Sequence, residues 1–410
     1  MRRGKPFLAL AAAETLSLSG TRLSTVAVPW LVLSATGSPV LTGLTAMMEM
    51  LPYVLAKALG GPLIDRVGAK RIAIICDAAS MAVVGLVPLL DLFGVLTVPM
   101  LLPLVFAMGV LRGPSDAAKQ AMVPDIAALA DVPLERVTGV SSAIERLAST
   151  MGAAGAGLLI GLIGPGQALI VNAATFAAAT VIIATGIPGI RRTPAILAAS
   201  DARPASSYLD DLRGGWRFLR SDAVLVSIVT MVAITNLLDQ AYNAVLLPVW
   251  TKNAGHGPEL LGAMFAAFCG ASVAGAAIAA VIGERMPRLI VYTVAFLLTG
   301  CPRFLVLAVD APLGSVFATL AIAGFASGFL NPILSAVIFE RIPKPLTGRV
   351  TAMNTALCFA LIPFGGLVGG ALISTIGLGA ALLLCGLAYL AATLFPLALK
   401  SFRGFDKAVA

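Results

Sequence analysis

The chain has 410 residues, 59% of them hydrophobic and 12% charged, with a formal net charge of +8. Soluble domains carry about 25% charged residues, so this composition excludes an ordinary water-soluble domain and points to a membrane chain. Its one histidine, His256, leaves no histidine metal cluster or catalytic triad, and no Gly-x-x-x-x-Gly-Lys-Ser/Thr run is present for nucleotide hydrolysis.

A membrane span needs about 20 apolar residues. Twelve stretches qualify: 7–33, 40–59, 72–92, 98–123, 137–163, 168–187, 224–250, 260–282, 289–309, 313–339, 350–376 and 380–399. The start, Arg2-Arg3-Gly4-Lys5 followed by Ala11-Ala12-Ala13, imitates a cleavable signal. The apolar run continues past Glu14 and has a counterpart later in the chain, so it is read as the first span. The five cysteines, Cys76, Cys269, Cys301, Cys358 and Cys385, are scattered through spans, which fits neither a disulfide framework nor a zinc site.

The first span carries Glu14 and Arg22. Glu14 lies about 12 Å from the inner end at 1.5 Å per residue. Between the second and third spans runs Gly60-Gly61-Pro62-Leu63-Ile64-Asp65-Arg66-Val67-Gly68-Ala69-Lys70-Arg71. Glycines there are expected to allow a tight turn between two helix ends. Arg66, Lys70 and Arg71 are expected to hold that turn on the cytoplasmic side, with Asp65 accepting from those cations or from a helix N-terminus.

This stretch resembles the loop signature of the major facilitator superfamily of secondary transporters. Gly61, Leu63, Asp65, Arg66, Gly68, Lys70 and Arg71 match it, and Ala69 departs from it. The resemblance implies an all-α membrane protein with twelve transmembrane helices. They would form two six-helix bundles related by a parallel pseudo-twofold repeat, with helices 1 and 4 lining a central cavity.

The fourth span holds Arg112, Asp116 and Lys119, ending near Asp125. The fifth holds Glu145 and Arg146. With Glu14, three acids and three bases fall in one layer. Every ionisable residue inside a bilayer is a functional candidate by default. An acid held between burial, which disfavours its charge, and a cation, which favours it, can load and release protons. Glu14 and Asp116 are the first candidates for carriers, and Arg112 and Lys119 for their modulators. The alternative is a set of structural ion pairs. Asp125 is expected near Arg66 or Arg71. Gly152-Ala153-Ala154-Gly155-Ala156-Gly157 occupies the place of the family's antiporter signature but lacks its proline. Close helix packing through small residues is the safer reading.

A polar stretch, 190–222, separates the halves, giving an expected division into a bundle 1–189, this linker, and a bundle 223–410. Residues 208–220 read as an amphipathic helix on the membrane surface, with Leu, Trp and Phe towards lipid and Arg in the headgroups. The second half repeats the first. At one constant offset Pro29, Pro39, Gly43, Gly109 and Pro124 recur as Pro248, Pro258, Gly262, Gly328 and Pro343. After a slip, Arg136-Val137-Thr138 recurs as Arg349-Val350-Thr351. An even number of spans per repeat keeps both halves in one orientation, the parallel duplication of the major facilitator architecture. The second loop signature, Gly283-Glu284-Arg285-Met286-Pro287-Arg288, keeps an acid–Arg pair and loses the second glycine.

In the seventh span Asp239 falls near the depth of Arg22, and the two are candidates for an outer gate or for separately satisfied residues. Asn236, Gln240, Tyr242 and Asn243 make this the most polar part of the second half. With Glu49 and Asn331 they are candidates to line a substrate cavity. Of the 28 lysines and arginines only Lys252 falls in an outer loop, which sets both termini on the cytoplasmic side of the cell membrane.

Val28-Pro29-Trp30-Leu31-Val32-Leu33, Met122-Val123-Pro124-Asp125 and Ile362-Pro363-Phe364-Gly365 resemble the drug-efflux branch of the superfamily. That resemblance implies a proton-driven exporter of small, largely apolar molecules. It would be an antiporter with no cofactor beyond the proton gradient, no metal and no nucleic-acid partner, working as a monomer in the bilayer. An importer or facilitator of a metabolite, and a lipid flippase or non-transporting membrane protein, are the other readings.

Overall fold

A computed structural model describes residues 4–188, 216–282, 286–342 and 347–398, and all regular structure among them is helical. In hydrocarbon no water satisfies a bare backbone, so an apolar run closes its own hydrogen bonds as a helix. The helices are α1 (Lys5–Thr36), α2 (Pro39–Leu59), a short α3 (Gly61–Val67), α4 (Ala69–Leu92), α5 (Val98–Ala130), α6 (Leu134–Ile163) and α7 (Pro165–Gly186). Then come α8 (Ala223–Ala241), a π-helical turn (Tyr242–Leu246), α9 (Leu247–Asn253), α10 (Pro258–Ile282), α11 (Arg288–Thr299) and α12 (Cys301–Ala308). The chain ends in α13 (Leu313–Arg341), α14 (Thr347–Phe359), α15 (Ile362–Ile376) and α16 (Leu378–Ala398).

Eleven stretches among the described residues are long and apolar enough to cross a membrane. The expected fifth span is the 30-residue α6, which these eleven do not include. Local chemistry sets the ends. Gly37 takes a left-handed conformation at the end of α1, and its N–H bonds the Leu33 carbonyl. Ser38 caps α2 by accepting from the Leu41 N–H, and Asp222 caps α8 by accepting from Val224 and Leu225.

The expected turn at 60–71 is instead a helix with one hinge. Gly60 is right-handed helical, with φ −69° and ψ −18°. Only Gly68 needs glycine's freedom, at φ 94°. Lys70 does not stay with the loop. Its Nζ donates to the carbonyls of Ala184 at 3.0 Å and Ile187 at 2.5 Å, at the C-terminal end of α7, where a cation complements unpaired carbonyls. Gly61, Leu63, Asp65, Arg66 and Arg71 are exposed and Asp125 is half-buried. Most of the expected surface helix, 208–215, lies outside the described residues, as do Gly283-Glu284-Arg285. Residues 216–221 are helical, with Trp216 exposed and Leu219 buried.

By contacts the chain divides into two compact units. The first is Met1–Ile190, Asn243–Ala266 and Gly366–Ser374; the second is Arg191–Tyr242, Ala267–Gly365 and Thr375–Ala410. In the first, α1 packs on α6 and α7, and α5 lies between α2 and α4. Leu10, Ala13, Ile72, Met122, Ile126 and Ile183 share its core. Gly157 on α6 leaves no room for a Cβ against Gly262 on α10, and Gly43 on α2 leaves none against Gly366 on α15. Lys252 donates to the Leu33 carbonyl at 2.6 Å, at the end of α1. In the second unit α11 packs on α13, α12 on α16, and α8 on α14 and α16. Leu225, Val229, Val350 and Cys358 share a core.

Candidate functional site

Of the charged residues expected in one layer of the first half, Glu14, Arg112 and Lys119 are buried, and the two bases pair with acids on α2 and α4. On α5, Arg112, Ser115, Asp116 and Lys119 recur at helical spacing and divide between two neighbours. Towards α2, Arg112 Nη1 donates to Glu49 Oε1, and both side chains are buried. One turn on, the Tyr53 hydroxyl donates to Asp116 Oδ2 at 3.1 Å. Lys57 Nζ donates to the same hydroxyl at 3.4 Å. Towards α4, Asp77 Oδ1 accepts from Ser115 Oγ at 2.6 Å and from Lys119 Nζ at 3.1 Å, and its Oδ2 lies 2.8 Å from the same Nζ in an ion pair. Lys119 donates again, at 2.7 Å, to Ser17 Oγ on α1. The approach of α5 to α2 depends on Gly109 and Gly113. A Cβ at Gly113 would lie 2.6 Å from the Lys57 nitrogen, and Gly109 faces the Glu49 carbonyl oxygen at closer range still.

Lys119 and Arg112, expected beside Glu14 and Asp116, thus form their ion pairs with Asp77 and Glu49. Glu49, expected to line a cavity, is 3% exposed. Glu14 is 6% exposed, and its carboxylate accepts from Ser141 Oγ on α6 at 2.9 Å. Glu145 is exposed, and the Arg146 side chain lies outside the described residues. The stem of Arg22 lies against Gly152 on α6.

In the second unit Asp239, expected opposite Arg22, is salt-bridged by Arg303 of α12. Asn236 is engaged in packing: its Nδ2 donates to the Cys358 carbonyl on α14 at 2.9 Å. The Gln240 stem contacts Gly365, Tyr242 is buried, and Asn243 and Asn331 are exposed. The sequence reading passed over Asp77, Tyr53, Lys57 and Arg303. Asp77 and Arg303 were detectable, since each is a charge inside an apolar run.

Residues 3–408 match the family model described as transmembrane secretion effector, a branch of the major facilitator superfamily. The chain belongs to this superfamily. It is 30% identical over 413 residues to the multidrug efflux pump Tap of Mycobacterium tuberculosis, covering 99% of this chain and 96% of the relative. It is 28% identical to Tap of Mycolicibacterium fortuitum, with 99% and 98% covered. Its fold is similar to that of the nucleoside transporter NupG, with a TM-score of 0.75 at 14% identity over 98% of this chain and 99% of that one. A D-xylose–proton symporter gives 0.69 at 12% identity, with 98% of each chain covered. The major facilitator member described here is therefore a multi-pass membrane protein and a secondary transporter, not an enzyme.

Proposed function

We propose that this transporter exports small, largely apolar molecules, drugs or secondary metabolites among them, in exchange for protons by alternating access. The export direction and substrate class follow the Tap relatives, which are multidrug efflux pumps. One observation supports the coupling: Glu14 is buried beside the charged pairs, and its hydrogen-bond partner among the described residues is a neutral hydroxyl, Ser141. Protonating Glu49 or Asp77 would strand Arg112 or Lys119 as a buried charge without a counter-ion, a costly state. Among the described residues no cation hydrogen-bonds Glu14, so its protonation strands none there, and Asp116, held by the Tyr53 hydroxyl, is the second group of this kind. Glu14 and Asp116 then carry the proton, with Arg112 and Lys119 as fixed charges nearby.

The proton gradient is the driving force, with no cofactor and no nucleic-acid partner. The protein works as a monomer in the cell's inner (plasma) membrane, with both termini cytoplasmic, an orientation that the lysine and arginine distribution supports. Gln240 and Asn331, both of the second unit, are the polar side chains we assign to substrate contact. Glu14→Gln tests the coupling, because it preserves shape but cannot titrate. In everted vesicles the variant should bind substrate and exchange it downhill while losing pH-driven accumulation. Accumulation at the wild-type rate would place the carrier elsewhere.

A further inference from the structure

The ion pair between Asp239 and Arg303 differs from the two pairs of the charged layer in three ways. Its members are unequally buried: the Arg303 side chain is 4% exposed and that of Asp239 is 34% exposed. In the pairs Arg112–Glu49 and Lys119–Asp77 no side chain exceeds 6%. The acid is thus the more accessible member of the pair. The accessible side of α8 carries Asn236, Asp239 and Gln240 at helical spacing, and such a polar stripe cannot face lipid.

Second, Arg303 has partners besides the carboxylate. Its guanidinium carbon lies 4.9 Å from the Tyr242 ring centroid, 5.2 Å from Phe304, 5.5 Å from Tyr389 and 5.8 Å from Phe268. Ring faces attract a cation, the more so where water is excluded. Losing the charge of Asp239 would leave Arg303 inside an aromatic cage. Among the described residues Lys119 has the Ser17 hydroxyl besides Asp77, and Arg112 has one ring, Tyr53, at 5.6 Å, where Arg303 has four.

Third, the backbone on both sides departs from the α-helix. The π-helical turn Tyr242–Leu246 begins three residues after Asp239. Gly300, with φ −87° and ψ −99°, breaks the helix three residues before Arg303. Turns of this kind inside helices mark functional positions and places where a helix can rewind. Among the described residues the Tyr242 hydroxyl and Arg303 Nε are buried without a hydrogen-bond partner, so this cluster holds polar atoms that a second arrangement can satisfy.

We infer that Asp239 is a further proton-binding carboxylate, separate from Glu14 and Asp116. Arg303 is its counter-ion, and the aromatic cage holds that cation while the acid is neutral. The charged and titratable groups facing it are Arg303 from α12, Tyr242 from its own helix and Tyr389 from α16. The step is one proton from water onto a carboxylate oxygen, with the Arg303 hydrogen bond released. This deepens the coupled reading above by adding a site to it, and rests on that reading for its role in transport.

The test reads protonation directly. Infrared difference spectra of the purified full-length protein, recorded as the pH is stepped, report the carbonyl stretch of each acid that takes up a proton. One component should vanish in Asp239→Asn, shift in frequency in Asp239→Glu, and persist in Glu14→Gln. Where the asparagine variant fails to fold, the glutamate variant decides. Spectra of the Asp239 variants that match wild type overturn the site, whatever the vesicles show. A titrating Asp239 component in a protein without pH-driven export supports the site and counts against the coupled reading alone.

Discussion

Asp77 is 0% exposed and Lys119 3%, so neither can reach water when the other is removed. Truncating one partner of such a pair costs about 3–5 kcal/mol, because the remaining charge is stranded, whereas replacing both with apolar groups is often close to neutral. Lys119→Met should therefore lower stability by about 3–5 kcal/mol, and the double variant Asp77→Leu with Lys119→Met should recover most of it. Thermal unfolding in detergent checks both. Arg288 and Glu340 form a pair with side chains 32% and 45% exposed, and Glu340→Gln should change stability by only about 0–1 kcal/mol. At this scale the sequence showed which residues carry charge inside apolar runs. Which acid met which base depended on the direction each side chain leaves its helix. Arg112 and Lys119 are seven residues apart on α5, and by depth alone both suit Glu14 and Asp116. Packing sends one to α2 and the other to α4.

Among the elements, α5 shows how glycine fixes the site. A Cβ at Gly109 would meet the Glu49 carbonyl oxygen, whereas one at Gly155 on α6 meets nothing within 4 Å. Gly109→Ala should push α5 from α2, part Arg112 from Glu49 and cost about 1–3 kcal/mol, as overpacking does. Gly155→Ala should be neutral or slightly stabilising, since alanine favours the helix. Yield and unfolding temperature of the two variants separate them, and a harmless Gly109→Ala would show that the contact is not tight. The glycines of the antiporter-like stretch thus have unlike roles. Gly152 accommodates the Arg22 stem and Gly157 the backbone of α10, while Gly155 meets nothing. Their spacing in the sequence is the same kind of pattern throughout and does not say which of them has a neighbour. The π-helical turn after Asp239 and the break at Gly300 were also illegible, because hydropathy gives one continuous apolar run across each.

For the whole molecule, the lysine and arginine distribution makes an orientation testable. His256 and Arg71 are both exposed, at loops expected on opposite faces of the membrane. In a background without the five native cysteines, an impermeant thiol reagent applied to intact cells should label His256→Cys and not Arg71→Cys, and in everted vesicles the reverse. Labelling of both from one side would overturn the topology. By itself the sequence determined the class of the chain, a helical membrane transporter of the major facilitator superfamily. Apolar runs long enough to span a bilayer can satisfy their backbones there only as helices, and that constraint is local. It also singled out Glu14, Arg112 and Lys119, because a charge inside an apolar run is legible residue by residue. Only the tertiary structure decided the partners: Asp77 for Lys119, Glu49 for Arg112, Arg303 for Asp239, and a neutral serine for Glu14. Such pairings depend on how helices rotate and cross, which close contacts such as those at Gly109 and Gly113 settle, and no single stretch of sequence contains that information.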